Sequence, residues 1–267
     1  MENLSRKPLQ GVSNIVKFNW HFYVLALAVI LGLVLVNQFV SPNTGLFNLL
    51  SWLAISFVLA STIISLLASF YIYDVSNLYQ LYWIDLLEVL PQHPSQITQK
   101  IDSKTANIVN INAGFDETSA LIAHKYREAN LQVFDFYNPQ THTEISIERA
   151  RKAYPPYPNT QLISTKALPL QNNTVDLFCN ILAAHEIRNT AERIAFFEQQ
   201  KQKIRAEGKI IVVEHLRDLP NFLAYQIGFL HFYSKKTWLQ TFESAGLEVC
   251  KEIKLTPFLS VFVLGKK

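Results

Sequence analysis

From Phe18 to Tyr73 the chain carries no Asp, Glu, Lys or Arg. No other feature restricts the fold as strongly, because a soluble surface is normally built with charge on it. Within this stretch, FNWHFYVLALAVILGLVLVNQFV (18–40) and LFNLLSWLAISFVLASTIISLLASFYIY (46–73) are two long apolar runs. Each exceeds the roughly 20 mostly apolar residues that a bilayer-crossing helix needs. Between them lies SPNTG, a turn-forming cluster. The pattern predicts a transmembrane helical hairpin rather than a buried helical pair. Two runs without a small-residue cleavage site do not fit a signal peptide.

The flanks orient the hairpin. Arg6, Lys7 and Lys17 precede it, and the connecting loop has no positive charge. Basic residues stay on the cytoplasmic side, which predicts a multi-pass protein with its N-terminus and everything after Tyr73 facing the cytoplasm. Trp20, His21, Tyr23, Tyr71 and Tyr73 cluster near that same face, where amphipathic rings are at home. Ser61, Ser65 and Ser69 recur every fourth residue, either as a close-packing stripe or as scattered small residues.

The charged fraction of 17% is below the roughly 25% of a soluble domain, and the deficit is local to the hairpin. A net charge of +3 gives no reason to expect a nucleic-acid partner. Cys179 and Cys250 both lie in apolar, strand-like runs, so two buried free thiols are expected in a reducing compartment. No ligand cluster has the spacing of a metal site.

Four regions follow: a cytoplasmic N-terminal segment (1–17), the hairpin (18–73), a juxtamembrane helix and linker (74–104), and an α/β domain (105–267). VSNLYQLYWIDLLEVL (75–90) reads as an amphipathic helix whose aromatic side rests on lipid or on the domain, and the prolines of PQHPSQ end it. Strands are expected at 107–111, 131–137, 161–165, 175–182 and 209–215. Helices are expected at 116–129, 142–153, 189–206, 220–230 and 235–244. Short apolar strands alternating with helices imply a parallel sheet covered on both faces. The runs 247–255 and 258–265, joined at Thr256-Pro257, read as an antiparallel pair closing the sheet. The expected architecture is a Rossmann-like, seven-stranded, mostly parallel sheet behind a two-helix hairpin.

Ligands of open α/β sheets sit beyond the carboxyl ends of the strands. NINAGFDETS ends the first strand, and Gly114 there allows close backbone approach before a helix N-terminus. Asp135 ends the second strand, where a carboxylate can accept from both hydroxyls of a ribose. Phe136 and Tyr137 beside it are placed to pack on an adenine. STKALPL follows the third strand, and the fourth lies in QNNTVDLFCNILAAHEIR.

On these residues the chain resembles class I S-adenosylmethionine-dependent methyltransferases of the quinone and small-molecule group, over about residues 105–265. LPLQNNTVDLFCNILAAHEIR, AEGKIIVVEHLRD and KKTWLQTFESAGLEV carry the resemblance most strongly. The family's acidic-x-Gly-x-Gly-x-Gly loop corresponds here to Asn110 through Asp116, and only Gly114 of its glycines is kept. The resemblance implies S-adenosyl-L-methionine as cofactor. It implies that Asn112, Ala113 and Gly114 pass the methionine moiety and that Asp135 holds the ribose. It also implies that Ser164 and Thr165 lie near the adenine and that Asn180 lines the transfer pocket. Asp116 or Glu117 either faces the methionine ammonium or caps the next helix, and one residue can do both.

Methyl transfer from a sulfonium requires that an acceptor be placed in line and, for a hydroxyl, that a proton be removed. His185 and Glu186, just past the fourth strand, are the candidates, with His185 read as base or as loop packing. Glu214 and His215 end the fifth strand, from where they either reach the pocket rim or stay outside it. Aromatics in NFLAYQIGFLHFYSKKTW and AYPPYP point to an apolar, lipid-like acceptor drawn from the bilayer. Transfer to oxygen is favoured over carbon because His185 can serve as base. The rival is a domain that has kept the fold and lost turnover, serving as a membrane scaffold or cofactor-sensing subunit. A nicotinamide-dependent reductase is disfavoured by the missing Gly-x-Gly-x-x-Gly.

Overall fold

The computed structural model describes residues 6–39, 45–90, 106–141 and 144–267. The expected hairpin turn, the proline linker and the first residues of the 142–153 helix lie outside them.

The chain opens with three helices, α1 (Gln10–Phe18), α2 (Trp20–Phe39) and α3 (Gly45–Phe70). Both α2 and α3 are long and apolar enough to cross a membrane. Leu25, Leu31, Leu35, Leu53, Phe57 and Leu67 are each more than half exposed, so these helices show apolar side chains where a soluble protein would show charge. No residue of α2 is buried. Ser69 of the serine stripe is fully buried, whereas Ser61 and Ser65 are only half-buried.

The seven strands run in the order β3-β2-β1-β4-β5-β7-β6. They are β1 (Asn107–Asn112), β2 (Asn130–Asp135), β3 (Gln161–Leu162), β4 (Val175–Ile181), β5 (Ile204–His215), β6 (Leu247–Thr256) and β7 (Leu259–Lys266). β1 to β5 pair in parallel, and β7 inserts antiparallel between β5 and β6. This is the expected sheet, a parallel core closed by an antiparallel pair. The Thr256 hydroxyl accepts from the Phe258 and Leu259 amides at 3.1 and 3.0 Å and so shapes the turn between β6 and β7.

The pleat divides the strand side chains between two cores. Phe134, Phe178, Val212 and Phe262 face one, with Phe196, Phe197, Trp238 and Phe242. These last four come from α7 (Thr190–Lys203) and α9 (Lys235–Ser244). Leu177, Cys179, Ile211, Val213 and Val261 face the other, with Ile122 of α5 (Ser119–Lys125). Two further helices are α6 (Ile145–Ala153) and α8 (Leu219–Tyr225).

The 116–129 helix shortens to Ser119–Lys125, the 161–165 strand to Gln161–Leu162, and the 220–230 helix ends at Tyr225, and three further expectations differ from the structure. The segment 75–90 is not one helix. A π turn over Tyr71–Val75, a 3-10 turn over Leu78–Gln80 and a single α turn, Tyr82–Asp85, replace it. Leu78, Leu81, Trp83 and Ile84 are buried in the second core, so most of this segment's apolar side chains rest on the domain and not on lipid. Leu81 takes a left-handed φ of 57° at the break, a conformation costly for a branched side chain and sustained by burial. β5 begins at Ile204, where helix was expected, because Ile204 pairs with Val175 beyond a bulge. Cys179 is buried as expected, but Cys250 is exposed on the edge strand β6.

Candidate functional site

At the end of β1 the backbone turns through Gly114 at φ 102°, a region L-residues avoid. A Cβ there would stand 3.0 Å from the ring of Tyr137. The Asn112 side-chain oxygen accepts from the Gly114 amide at 3.0 Å, which leaves its Nδ2 buried without a protein partner. Asn110, standing where the resembled family has an acid, donates to the hydroxyls of Thr118 and Ser119 at 3.0 and 2.8 Å. It thereby ties the strand end to the start of α5.

Asp116 takes the second of its two expected roles, at the start of α5. Its Oδ1 accepts from the Thr118 and Ser119 amides at 3.0 and 2.9 Å, while its Oδ2 is buried and unpartnered. Glu117 turns away from the loop. It accepts from Arg6 at 2.8 Å and from the Tyr79 hydroxyl at 2.6 Å.

Asp135 sits at the end of β2, level with Asn112 in the parallel register. Its carboxylate is 2% exposed and accepts from the Tyr137 amide at 2.8 Å and from Arg151 of α6. The same guanidinium lies over the Tyr137 ring and reaches the Gly114 carbonyl at 3.3 Å. Arg151 therefore stands on the carboxylate that the resemblance assigns to a ribose. The sequence offers no sign of this, since Arg151 reads as an ordinary charge on a helix surface.

The other sequence candidates separate. Ala113 is buried in the loop. Phe136 is buried against Phe196 in the core rather than facing the cleft. Asn180 is fully buried and exchanges amide hydrogen bonds with Gln200 at 2.9 and 3.2 Å. Ser164 and Thr165 lie just after β3, and the Thr165 hydroxyl donates to Glu192. Thr165 and Lys166 face Asn189, Ala191, Glu192 and Ala195 across a hollow of about 430 Å³.

Past β4, His185 and Glu186 occupy a short 3-10 turn and join residues from three other segments. The His185 Nδ1 is 2.7 Å from Glu214, which also accepts the His185 backbone amide at 3.1 Å. Its Nε2 is 3.1 Å from Glu186. Despite burial, the two carboxylates hold the His185 imidazolium up to about 10. Glu186 is held below the usual carboxylate range by His185 and His231, against its burial. His231 lies 3.5 Å from Glu186 and 2.9 Å from Glu144, and both carboxylates raise it. Glu144 and His231 as members of this group carried no mark in the sequence.

His215 belongs to a different network. The Tyr73 hydroxyl donates to its Nε2 at 2.9 Å, its Nδ1 donates to Asn221 at 3.0 Å, and Phe232 stacks on the ring. Burial lowers it to about 4, so it is a neutral link between β5 and the turn after α3.

The N-terminal helix closes over the glycine loop. Phe18 packs edge-on against Phe115 and Tyr154, at 5.6 and 6.2 Å between centroids. Tyr154 donates to Asn14 at 2.8 Å, and Arg149 donates to the Phe18 carbonyl at 2.6 Å.

No family model matches the sequence, and no curated protein does. Several solved structures resemble it. One, described as a type 11 methyltransferase from Sulfolobus solfataricus, shares 16% identity over 61% of this chain and 85% of that one, with a TM-score of 0.40. A SAM-dependent methyltransferase from Leishmania major shares 17% over 67% and 68%, with a TM-score of 0.45. The geranyl diphosphate C-methyltransferase of Streptomyces coelicolor shares 10% over 70% and 80%, also at 0.45. At such identities the likeness is one of fold.

Proposed function

We propose that this chain is an S-adenosylmethionine-dependent methyltransferase, held in a membrane by α2 and α3, that acts on an apolar or lipid-like acceptor. The observation that carries the reading is the cradle at the ends of β1 and β2. A glycine turn, an unpartnered Asn112 Nδ2, an unpartnered Asp116 Oδ2 and the buried Asp135 carboxylate converge there. These groups fit the cofactor: a carboxylate and an amide for the amino-acid end, a second carboxylate for the ribose.

S-Adenosylmethionine supplies a methyl group already activated on a sulfonium, so the chain has only to bind, orient and exclude water. Asp116 faces the ammonium while its other oxygen holds the start of α5. Asp135 accepts from the ribose hydroxyls once Arg151 moves aside, a movement open to a side chain that is 31% exposed. His185 is charged and has both ring nitrogens engaged, so it is not a free base at neutral pH. Its positive charge instead favours the ionised form of an acceptor hydroxyl, and this keeps transfer to oxygen as the preferred outcome.

The membrane reading is supported by a continuous apolar surface. α8 packs against α3, and Leu219, Phe222, Leu223, Ile227 and Leu230 on α8 and the turn after it are exposed. An acceptor dissolved in lipid could reach the ends of β4 and β5 along this side without entering water. Basic Arg6, Lys7 and Lys17 before the hairpin, with none in its loop, support a cytoplasmic α/β domain. The scaffold alternative gives the unpartnered Asn112 Nδ2 and Asp116 Oδ2 no role.

Calorimetric titration of the detergent-purified full chain with S-adenosylmethionine tests the reading. One-site binding is expected, weakened at least tenfold in Asp135→Ala. Absence of binding at millimolar cofactor would return the protein to the scaffold class.

A further inference from the structure

We infer that His185, Glu186 and His231 form a binding site for a divalent transition-metal ion. The ligand atoms of these three residues lie within 4.8 Å of one another. His185 Nε2 stands 3.1 Å and His231 Nε2 3.5 Å from the same Glu186 oxygen. Two donors bound to one ion at about 2.0–2.1 Å in tetrahedral arrangement are themselves roughly 3.3 Å apart, a spacing that these two pairs match, while the third pair lies within 4.8 Å. Two imidazoles and one carboxylate suit zinc, manganese or ferrous iron, and not calcium or magnesium, which take oxygen.

The surroundings repeat one device twice. Glu214, 1% exposed, grips His185 through Nδ1 at 2.7 Å. Glu144 grips His231 through Nδ1 at 2.9 Å. A carboxylate behind each imidazole fixes the ring, as outer partners of metal-bound histidines do; the Arg188 guanidinium lies 2.5 Å from both ring nitrogens of His231 and has to swing aside for Nε2 to take an ion. Three carboxylates stand against one guanidinium, Arg188, which contacts Glu144 and His231. Binding would release the proton that His185 carries without an ion, so the role of its charge would pass to the ion; with both imidazoles then neutral, two negative charges are left, the amount a divalent ion cancels. The ligands come from the turn after β4 and from the 3-10 turn after α8 (Gln226–His231), so an ion would join two segments that otherwise meet through polar contacts.

The site lies at the carboxyl end of β4, next to β1. In the reading given above, on which this role alone rests, the ion would hold an ionised acceptor oxygen and lower its pKa. A phenol, an enol or a diphosphate would be held there and a plain hydrocarbon would not.

The test uses untagged full-length protein in detergent, stripped with chelator. Titration with Co²⁺ is expected to give a visible absorption band saturating at one ion per chain, displaced by Zn²⁺. Zn²⁺ is expected to raise the unfolding temperature of the wild type but not of His231→Ala. Glu214→Gln should weaken Zn²⁺ binding about 10–100-fold, with the far-ultraviolet spectrum unchanged as a control on folding. No band, or a Zn²⁺ affinity equal in the wild type and a folded His231→Ala variant, overturns the site. S-Adenosylmethionine binding is measured separately on the same stripped protein, so loss of the metal site and loss of the methyltransferase reading give different results.

Discussion

Arg151 and Asp135 form a contact whose meaning depends on what else is bound. A buried carboxylate needs a partner, and Arg151 provides one. A ribose would have to replace it. Arg151→Ala is therefore expected to lower the stability of the cofactor-free protein by about 1–3 kcal/mol, the cost of leaving a buried acceptor unpaired. It should also tighten cofactor binding by removing the competitor. Thermal unfolding with and without S-adenosylmethionine checks both signs, and a cofactor affinity that falls in this variant would place Arg151 among the binding groups instead.

His215 gives a second residue-scale expectation. Its folded pKa, about 4, lies below the ordinary 6.5. The unfolded chain therefore binds the proton more readily than the folded one. Its contribution is complete above pH 6.5 and is lost as the pH falls from 6.5 toward 4. The unfolding temperature should drop across that window in the wild type and drop less in His215→Gln.

At the scale of elements, α1 is held by one carboxylate and one glycine. Asp74 accepts from the Gly11 and Val12 amides, both at 2.7 Å, and so occupies the helix N-terminus where anions are favoured. Gly11 lies so close to the π turn that an added Cβ would stand 2.4 Å from Tyr73. Gly11→Val should lift α1 off the turn and, through Phe18 and Asn14, off the glycine loop. Faster amide exchange over Gln10–Phe18 with unchanged exchange in β4 and β5 is the expected signature. Equal protection of α1 in both proteins would show that its aromatic contacts suffice.

The same scale shows why 75–90 is not the single helix that its spacing predicts. Apolar residues there have nearly helical spacing, and periodicity alone cannot register that the chain must bend to lay Leu78, Leu81, Trp83 and Ile84 on one sheet face. The strands were legible, because a parallel strand buried on both faces is a short apolar run whatever surrounds it.

For the whole molecule, the membrane orientation can be read through a native side chain. Cys250 is exposed and Cys179 buried. In inverted membrane vesicles a membrane-impermeant maleimide should label the protein at Cys250. In sealed right-side-out vesicles it should not, until detergent is added. Labelling in the reverse pattern would turn the hairpin over and place the α/β domain outside.

The sequence by itself determined the two apolar helices, the alternating α/β pattern, the antiparallel terminal pair, and the glycine turn at the end of the first strand. Each of these is local or periodic: charge is absent or present, apolar residues recur, and a glycine interrupts a strand. Only the tertiary structure decided which polar groups meet. Arg151 reaches Asp135 from the next helix, Asn180 is absorbed by Gln200, and Glu144, Glu186, Glu214 and two histidines gather from four segments. Such meetings depend on side-chain direction at the ends of strands far apart in the chain, and no pattern along one strand records the direction of another.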